Sequence, residues 1–597
     1  MKTTIMTTTK QYDYLNRLGW ITSSPSNSFT CQYNAANQRT LNRLWDGSYW
    51  RYGYDALGQV VSGNKYWSDM TPVAGQQFGY VFDTIGNRTQ TEAGGDQTGA
   101  NLRVAHYTNN LLNQITSRDF PGYVDIMGDS LATNTVSVTV GGNNQPAYQK
   151  VEYYRAQLAV PNTTAPQWPV VTVSAPGQNS VTGHVYVAQT PENYSYDADG
   201  NLLSDGRWNY TWDAENRLTG MTSLLGVPAG SQCAMNFVYD DQGRRTAKMV
   251  STNNGAGQSG GYTNYYLYDG WNCLAILNPS LSLLNSFMWG SDLSGSMQGA
   301  GGVGGLIQVS YYGTATTNCF VAYDGNGNVS ALVNAADGTT LANYEYGPFG
   351  EVIRATGPMA KLNPFRFSTK YCDDETGLDY YGYRYYNPST GRWIGRDPAG
   401  EDEGGPNLYA ILCNDPIDDL DCLGLVDYKF EITEGGWGGW AGGAGAWGQP
   451  WWCASGMALN LGAQAYSSVT ITSRNNPGGS CNSVDKPDPA GTIKLYLKND
   501  CPGKFLVSIN YTVQLSGTGP QGIFSATATL TGGGQTLVSA KRAPFSDSDL
   551  GDFTASVKTT WTLVSQYTPT ISLHMDHGKQ STSTAYGMIQ FISAIPQ

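Results

Sequence analysis

An all-β fold is predicted for this chain on three observations: a short hairpin unit recurs through the first 425 residues, Tyr and Gly are abundant while charges are few, and apolar residues alternate near the C-terminus. Of 597 residues only 14% are charged, while Gly numbers 73 and Tyr 40. That balance favours strands and turns over helices. The length exceeds what one compact core fills, so several domains or one elongated architecture is expected. The expected layout is a spiralling shell of β-hairpins with a small β-sandwich inserted in it, then an antiparallel β-sandwich at the C-terminus.

The hairpin unit occupies residues 1–119 and returns over 190–343. Tyr12, Tyr33 and Tyr54 stand 21 residues apart, and related units begin at Phe82 (FDTIGNRT), Tyr196 (YDADGNLL), Trp212 (WDAENRLTG), Tyr239 (YDDQGRRT) and Tyr323 (YDGNGNVS). In the full unit Asp follows an aromatic and Gly comes three residues later, which suits the first and last positions of a β-turn. The aromatic then ends one strand, and a residue such as Leu202 or Val329 begins the next. One hairpin cannot bury both faces, so the units must stack edge to edge into a long sheet that curls.

Residues 120–189 interrupt the repeats. NTVSVTVGG, WPVVTVSA and VTGHVYVAQ alternate apolar with polar and read as the inserted sandwich. His184 lies on this pattern with no second ligand beside it, as an ordinary strand residue.

Residues 344–425 are aromatic-rich, glycine-punctuated and end on two separated aspartates, Asp397 in RDPAGE and Asp421 in LDCLGL. Two carboxylates brought close cannot both ionise easily, so one stays protonated as an acid while the other deprotonates an attacking water. Asp in such turn-rich sequence also caps backbone amides, and both uses remain open. Arg384, Arg392 and Arg396 run among the tyrosines; stacking and pairing are their plainer roles, and Arg396, next to Asp397, is the one expected to orient the pair. Cys422 has no His between His184 and His574 to activate it, which disfavours a cysteine mechanism.

The repeats together with GLDYYGYRYYNPSTGRWIGRDPAGE resemble the RHS/YD-repeat family, found in polymorphic toxins, toxin-complex C-components and teneurins, and residues 344–425 resemble its RHS repeat-associated core. The resemblance implies a bacterial, secreted or surface β-shell that encloses a variable C-terminal segment. It also implies an aspartyl autoprotease, with Asp397 and Asp421 as the catalytic pair and the cut between Leu425 and Val426. The family pattern has Pro where this chain has Cys422, and Leu where it has Glu401. Residues 426–597 would be cargo, and an immunity or delivery protein is the implied partner. The alternative is a non-cleaving adhesive or structural protein whose terminal sandwich binds a glycan, a protein or another cell-surface target.

After Leu425 the composition changes. Residues 426–484 read as a Gly/Trp-rich linker: no charge occurs from Gly435 to Ser473, and GGWGGWAGGAGAWGQPWW carries five tryptophans. Glycine at that density disfavours a membrane helix. Residues 485–597 read as the sandwich, with strands alternating over Val507–Leu515 and Phe553–Leu563 and others near Ile523–Leu530, Ile571–Met575 and Met588–Ile592. His574, Asp576 and His577 are the residues a metal would use there, but nothing supplies an obvious third ligand and a polar strand end is the plainer reading. No cofactor is implied.

The net charge of -13 falls wholly on residues 1–425, since the remainder carries ten acidic and ten basic side chains. Nucleic acid is therefore not an expected partner. Ten cysteines, irregularly spaced and without a CxxC pair, outline neither a disulfide scaffold nor a zinc site. The start, MKTTIMTTTKQYDYLNRLGW, lacks an apolar secretory core, so export by another route or a longer parent chain is expected.

Overall fold

One turn chemistry closes hairpin after hairpin in the shell. At Phe82–Asn87, Asp83 N–H donates to Asn87 O at 2.9 Å and Gly86 N–H to Asp83 O at 3.1 Å. The Asp83 side chain accepts from the Ile85 and Asn87 amides at 3.0 and 2.8 Å and from Asn87 Nδ2 at 3.0 Å. Gly86 takes φ +81°, and the pairing register slips between Val81 and Phe82. This is a turn followed by a left-handed residue and a bulge, a geometry that matches the right-handed twist of the flanking strands. The same set recurs at Asp324, while in WDAENRLTG Asn216 fills the left-handed position at φ +59°. Asn tolerates that conformation better than other side chains with a Cβ.

The computed structural model describes residues 5–15, 17–23, 27–253, 260–400 and 406–425 with their side chains, and the backbone of nine strands between residues 430 and 596. In the first part, eleven strands from Thr8–Tyr12 to Glu192–Asn193 make one antiparallel sheet, and fourteen from Ser195–Tyr196 to Val352–Thr356 make a second. Within each, nearly every strand pairs with its neighbour in sequence, so the hairpins form a continuous meander.

The repeat aromatics tie successive hairpins together. Tyr54 Oη donates to Arg39 O at 2.8 Å, Tyr239 Oη to Leu218 O at 2.6 Å, Tyr323 Oη to Leu306 O at 2.6 Å and Tyr346 Oη to Val329 O at 2.7 Å. Each acceptor is the first residue of a strand in the preceding hairpin. The sheets also meet far along the chain: Lys65 pairs with Glu345, and Asn27 Nδ2 donates to Ser330 Oγ at 2.5 Å.

Between the repeats, Tyr123–Asp129, Tyr148–Lys150 and Tyr153–Ala159 form a three-stranded sheet. Asn143–Pro146, Ser137–Val140, Val170–Ser174 and Val181–His184 form a four-stranded one. Val124, Val138, Leu158, Val171 and Val187 make one apolar core there. His184 is exposed and stacks on Trp168 at 5.3 Å.

Residues 359–425 carry only short strands and pack against both large sheets. Phe365, Tyr371, Tyr385 and Ile394 join Phe287, Leu306, Val329 and Leu332 of the second sheet. Phe367, Tyr386, Trp393 and Ile411 join Val60 and Tyr80 of the first. Arg245, fully buried, bonds Asp373 at 2.6 Å and is boxed by Tyr266, Tyr371, Tyr380 and Tyr385. A buried guanidinium needs such partners, because an unpaired buried charge is strongly destabilising.

The described residues of the C-terminal unit are all in strands. Phe430–Thr433, Ala490–Leu497, Thr570–His577, Phe524–Gly532 and Gln535–Phe545 form one antiparallel sheet, and Ser455–Asn460, Ser468–Ser473, Thr582–Pro596 and Phe505–Thr518 another. Three of these strands lie in the stretch that composition assigns to a linker. The alternating, β-branched SVTITS at 468–473 accounts for one of them. The strand expected over Phe553–Leu563 lies outside the described residues. No helix among the described residues is long and apolar enough to cross a membrane.

Candidate active site

Asp397 and Asp421 converge on one guanidinium, that of Arg384. Arg384 leaves the chain just before the strand Tyr385–Asn387, and its planar head lies 4.1 Å over the Trp393 ring. One of its nitrogens, Nη2, lies 2.7 Å from Asp397 Oδ2 and 3.8 Å from Asp421 Oδ2. All three side chains are buried. A planar fork with five donors suits such a site, since it stacks on the indole and still reaches several acceptors.

Each aspartate divides its two oxygens between two tasks. Asp397 Oδ1 accepts from the Ala399 amide at 2.9 Å. Asp421 Oδ1 accepts from the amides of Leu423, Gly424 and Leu425 at 3.0, 2.6 and 3.3 Å. Turn capping and pairing, set against each other in the sequence, occur together in these residues: the Oδ1 atoms cap turns and the Oδ2 atoms face Arg384.

Burial pushes the Asp421 carboxyl up from 3.8 to about 6, against the opposing pull of Arg384, the Gly424 amide and Lys370, with Asp397 adding to the rise. A carboxyl held there keeps its proton under mildly acidic conditions, as a general acid must. Both aspartates and Arg384 line a cavity of about 240 Å³, together with Trp393, Asn407, Leu412, Cys413 and Asn414 and with Gln59 and Gly86 from two successive repeat turns, those of Asp55 and Asp83. Asn414 Nδ2 bonds Gln59 Oε1 and Gly86 O, each at 2.9 Å, and Arg392 reaches Gly86 O and Asn87 Oδ1 at 3.2 and 2.9 Å. The cavity wall is thus shared between the shell and the core segment.

Arg396 does not orient the pair. Burial alternates through Gly395, Arg396 and Asp397, so Arg396 is exposed and turned away from its neighbour. Its aliphatic stem covers Gly200, where an added Cβ would fall 2.2 Å from Arg396 Cδ. Successive side chains of a near-extended segment leave on opposite sides, so adjacency to Asp397 worked against the assignment. Arg384, 13 positions before Asp397, has that place instead.

Lys370 belongs to the same neighbourhood and had no local signal. It is 51 positions from Asp421, in FRFSTKYCDD, with nothing in that stretch to suggest it. Its ammonium bonds the carbonyls of Gly301 and Cys422 at 2.9 and 2.5 Å. Cys422 Sγ faces Gly299 O at 3.7 Å.

Leu425 is half-buried beside Asp421, while Val426 and Glu401 lie outside the described residues. His574, Asp576 and His577 fall in the strand Thr570–His577, opposite Thr527, Ser525 and Phe524 in register. Their side chains lie outside the described residues. Among the described residues no cluster of His, Cys, Asp and Glu is arranged to hold a metal ion.

Residues 183–403, which contain the whole of the second sheet and Asp397, match the Teneurin YD-shell family. The chain carries an RHS/YD-repeat shell. Similar proteins include the tRNA3(Ser)-specific nuclease WapA of Bacillus spizizenii, 31% identical over 236 residues, 38% of this chain and 9% of the relative. Toxin subunit YenC1 of Yersinia entomophaga is 25% identical over 430 residues, 67% of this chain and 42% of the relative. Toxin protein Tse5 of Pseudomonas aeruginosa is 48% identical over 75 residues, 12% of this chain and 6% of the relative. The chain spans less than half the length of each of these relatives. The RHS/YD shell is therefore of a type found in toxins.

Proposed function

We propose that this RHS/YD shell is a self-processing protein of the toxin type, which cuts its own chain after Leu425 and so frees residues 426–597 as cargo. The observation that carries the reading is one guanidinium nitrogen reaching both buried carboxylates, at 2.7 and 3.8 Å, beside a cavity. The peptide segment that follows Asp421 folds back over that carboxyl, bringing the Leu425 amide to 3.3 Å. The substrate is then supplied in place at high effective concentration.

In this mechanism Asp397, paired with Arg384 at 2.7 Å, takes a proton from a water whose oxygen adds to the Leu425 carbonyl carbon. Asp421, with Oδ1 occupied by amides, carries its proton on Oδ2 and gives it to the carbonyl oxygen. Collapse of the adduct breaks the C–N bond as Asp397 passes the proton it took from water to the Val426 nitrogen and Asp421 takes back a proton from an adduct hydroxyl, leaving a new carboxylic acid and a new amine with both aspartates in their starting states. The titration belongs to the pair rather than to either residue alone. The names of the relatives, a nuclease and two toxins among them, support cargo of toxic activity and a delivery or toxin-complex partner, with a secreted or surface destination.

A second reading has its own support. The amides capped by both Oδ1 atoms would serve a passive scaffold equally well, and the chain would then act intact, with its terminal domain binding a glycan or protein. Asp397→Asn and Asp421→Asn separate the two. Self-cleavage predicts two fragments from the wild type on a denaturing gel and one full-length band from each variant; identical patterns for all three contradict it.

A further inference from the structure

We propose that Lys370 is a positioning residue for the cut, holding the segment that leads to the scissile bond by the carbonyl of Cys422. The assignment rests on the self-cleavage reading above. Three successive carbonyls of that segment are each taken by a donor from the core. Lys370 Nζ takes Cys422 O at 2.5 Å, the Tyr383 amide takes Leu423 O at 3.0 Å, and Arg384 Nε takes Gly424 O. On the opposite side, Asp421 Oδ1 takes the three following amides. Residues 422–425 are therefore gripped through the backbone, peptide by peptide, as a protease grips a substrate strand.

Lys370 is the member of this clamp that reaches back to the shell. The same ammonium bonds Gly301 O at 2.9 Å, in the glycine-rich loop between the strands Leu283–Trp289 and Leu306–Tyr312. Gly301 has φ +58°, and a Cβ there would fall 1.9 Å from Cys422 O. That loop is shaped by Asp292, whose Oδ2 accepts from the Ala300 and Gly302 amides at 2.7 and 3.1 Å. Ser368 and Thr369, immediately before the lysine, are both left-handed, at φ 48° and 53°. Each such residue is strained, and the strain persists only where surrounding bonds impose it. Here Asn328 Oδ1 accepts from the Ser368 amide at 2.7 Å, and Thr369 Oγ1 donates to Gly327 O at 2.7 Å. The titratable groups facing the ammonium are the Cys422 thiol and the Asp421 and Asp292 carboxyls; those facing Asp421 are Arg384, Lys370 and Asp397. A side chain that only filled space would not need a buried ammonium with two carbonyl partners.

The test follows self-cleavage of the freshly synthesised full chain from about pH 5 to about pH 8, across the range where the acid must hold its proton. Lys370→Met should slow the cut by about tenfold or more, the effect of losing roughly one charged hydrogen bond. It should also move the alkaline limb to higher pH, because Asp421 loses a nearby cation that favours its ionised form. Lys370→Arg should recover most of the rate. Gly301→Ala, which displaces the same carbonyl from the other side, should slow the cut without moving the limb, and it keeps the proposal testable if Lys370→Met fails to fold. Wild-type rate and limb in Lys370→Met overturn the assignment, as does a slowed rate with an unmoved limb and no recovery in Lys370→Arg. A wild-type chain that never cuts overturns the self-cleavage reading itself and this assignment with it, whereas cutting by wild type and Lys370→Met alike overturns this assignment alone.

Discussion

Asp421 is where burial becomes chemistry. Because its carboxyl is raised to about 6, the protonated form that the mechanism uses as acid is depleted as pH climbs past that value. The rate of self-cleavage should therefore fall above about pH 6 by roughly tenfold per pH unit; a rate that rises from pH 6 to 8 would assign the acid elsewhere. The two aspartates could be picked from the sequence because the family pattern marks them, but their guanidinium partner could not. Arg384 and Arg396 look equivalent as letters, and only the alternation of burial around Asp397 separates them. Lys370 was illegible for a different reason: its contacts are to backbone carbonyls of residues remote in sequence, which leave no mark on neighbouring side chains.

At the level of the hairpin, more was readable. The Asp and Gly spacing specifies a turn, and the turn fixes where one strand ends and the next begins, as at Tyr323 and Val329. What the spacing does not state is why the turn is preceded by an aromatic. The answer lies one hairpin away, where the hydroxyl of Tyr54, Tyr239 or Tyr323 meets a carbonyl at the start of an earlier strand. In a meander such a tie carries the register from one hairpin to the next. The cost of breaking the turn itself is open to measurement. Asp83→Ala removes an acceptor from the Ile85 and Asn87 amides and from the Asn87 side chain, and should destabilise the shell by about 1–2 kcal/mol in a denaturant titration. No change in the midpoint would mean that water replaces the carboxylate at no cost. The strands within 426–484 were hidden because Gly and Trp dominate the composition around them, and composition averages over a short alternating run such as SVTITS.

In the shell as a whole, the core segment 359–425 joins the two long sheets through their apolar faces and presents Asp397 and Asp421 at the junction. The cavity is lined by two repeat turns, through Gln59 and Gly86, as well as by the core, and Lys370 is bound to the glycine-rich loop of the second sheet. On this account the dyad is complete only when both sheets have folded, which delays the cut until the shell exists. The most direct test is intact-mass spectrometry of the purified, full-length 64.4 kDa product. The account predicts two polypeptides, the second beginning at Val426, and a single uncut species from Asp421→Asn; one species of full mass from the wild type would contradict it.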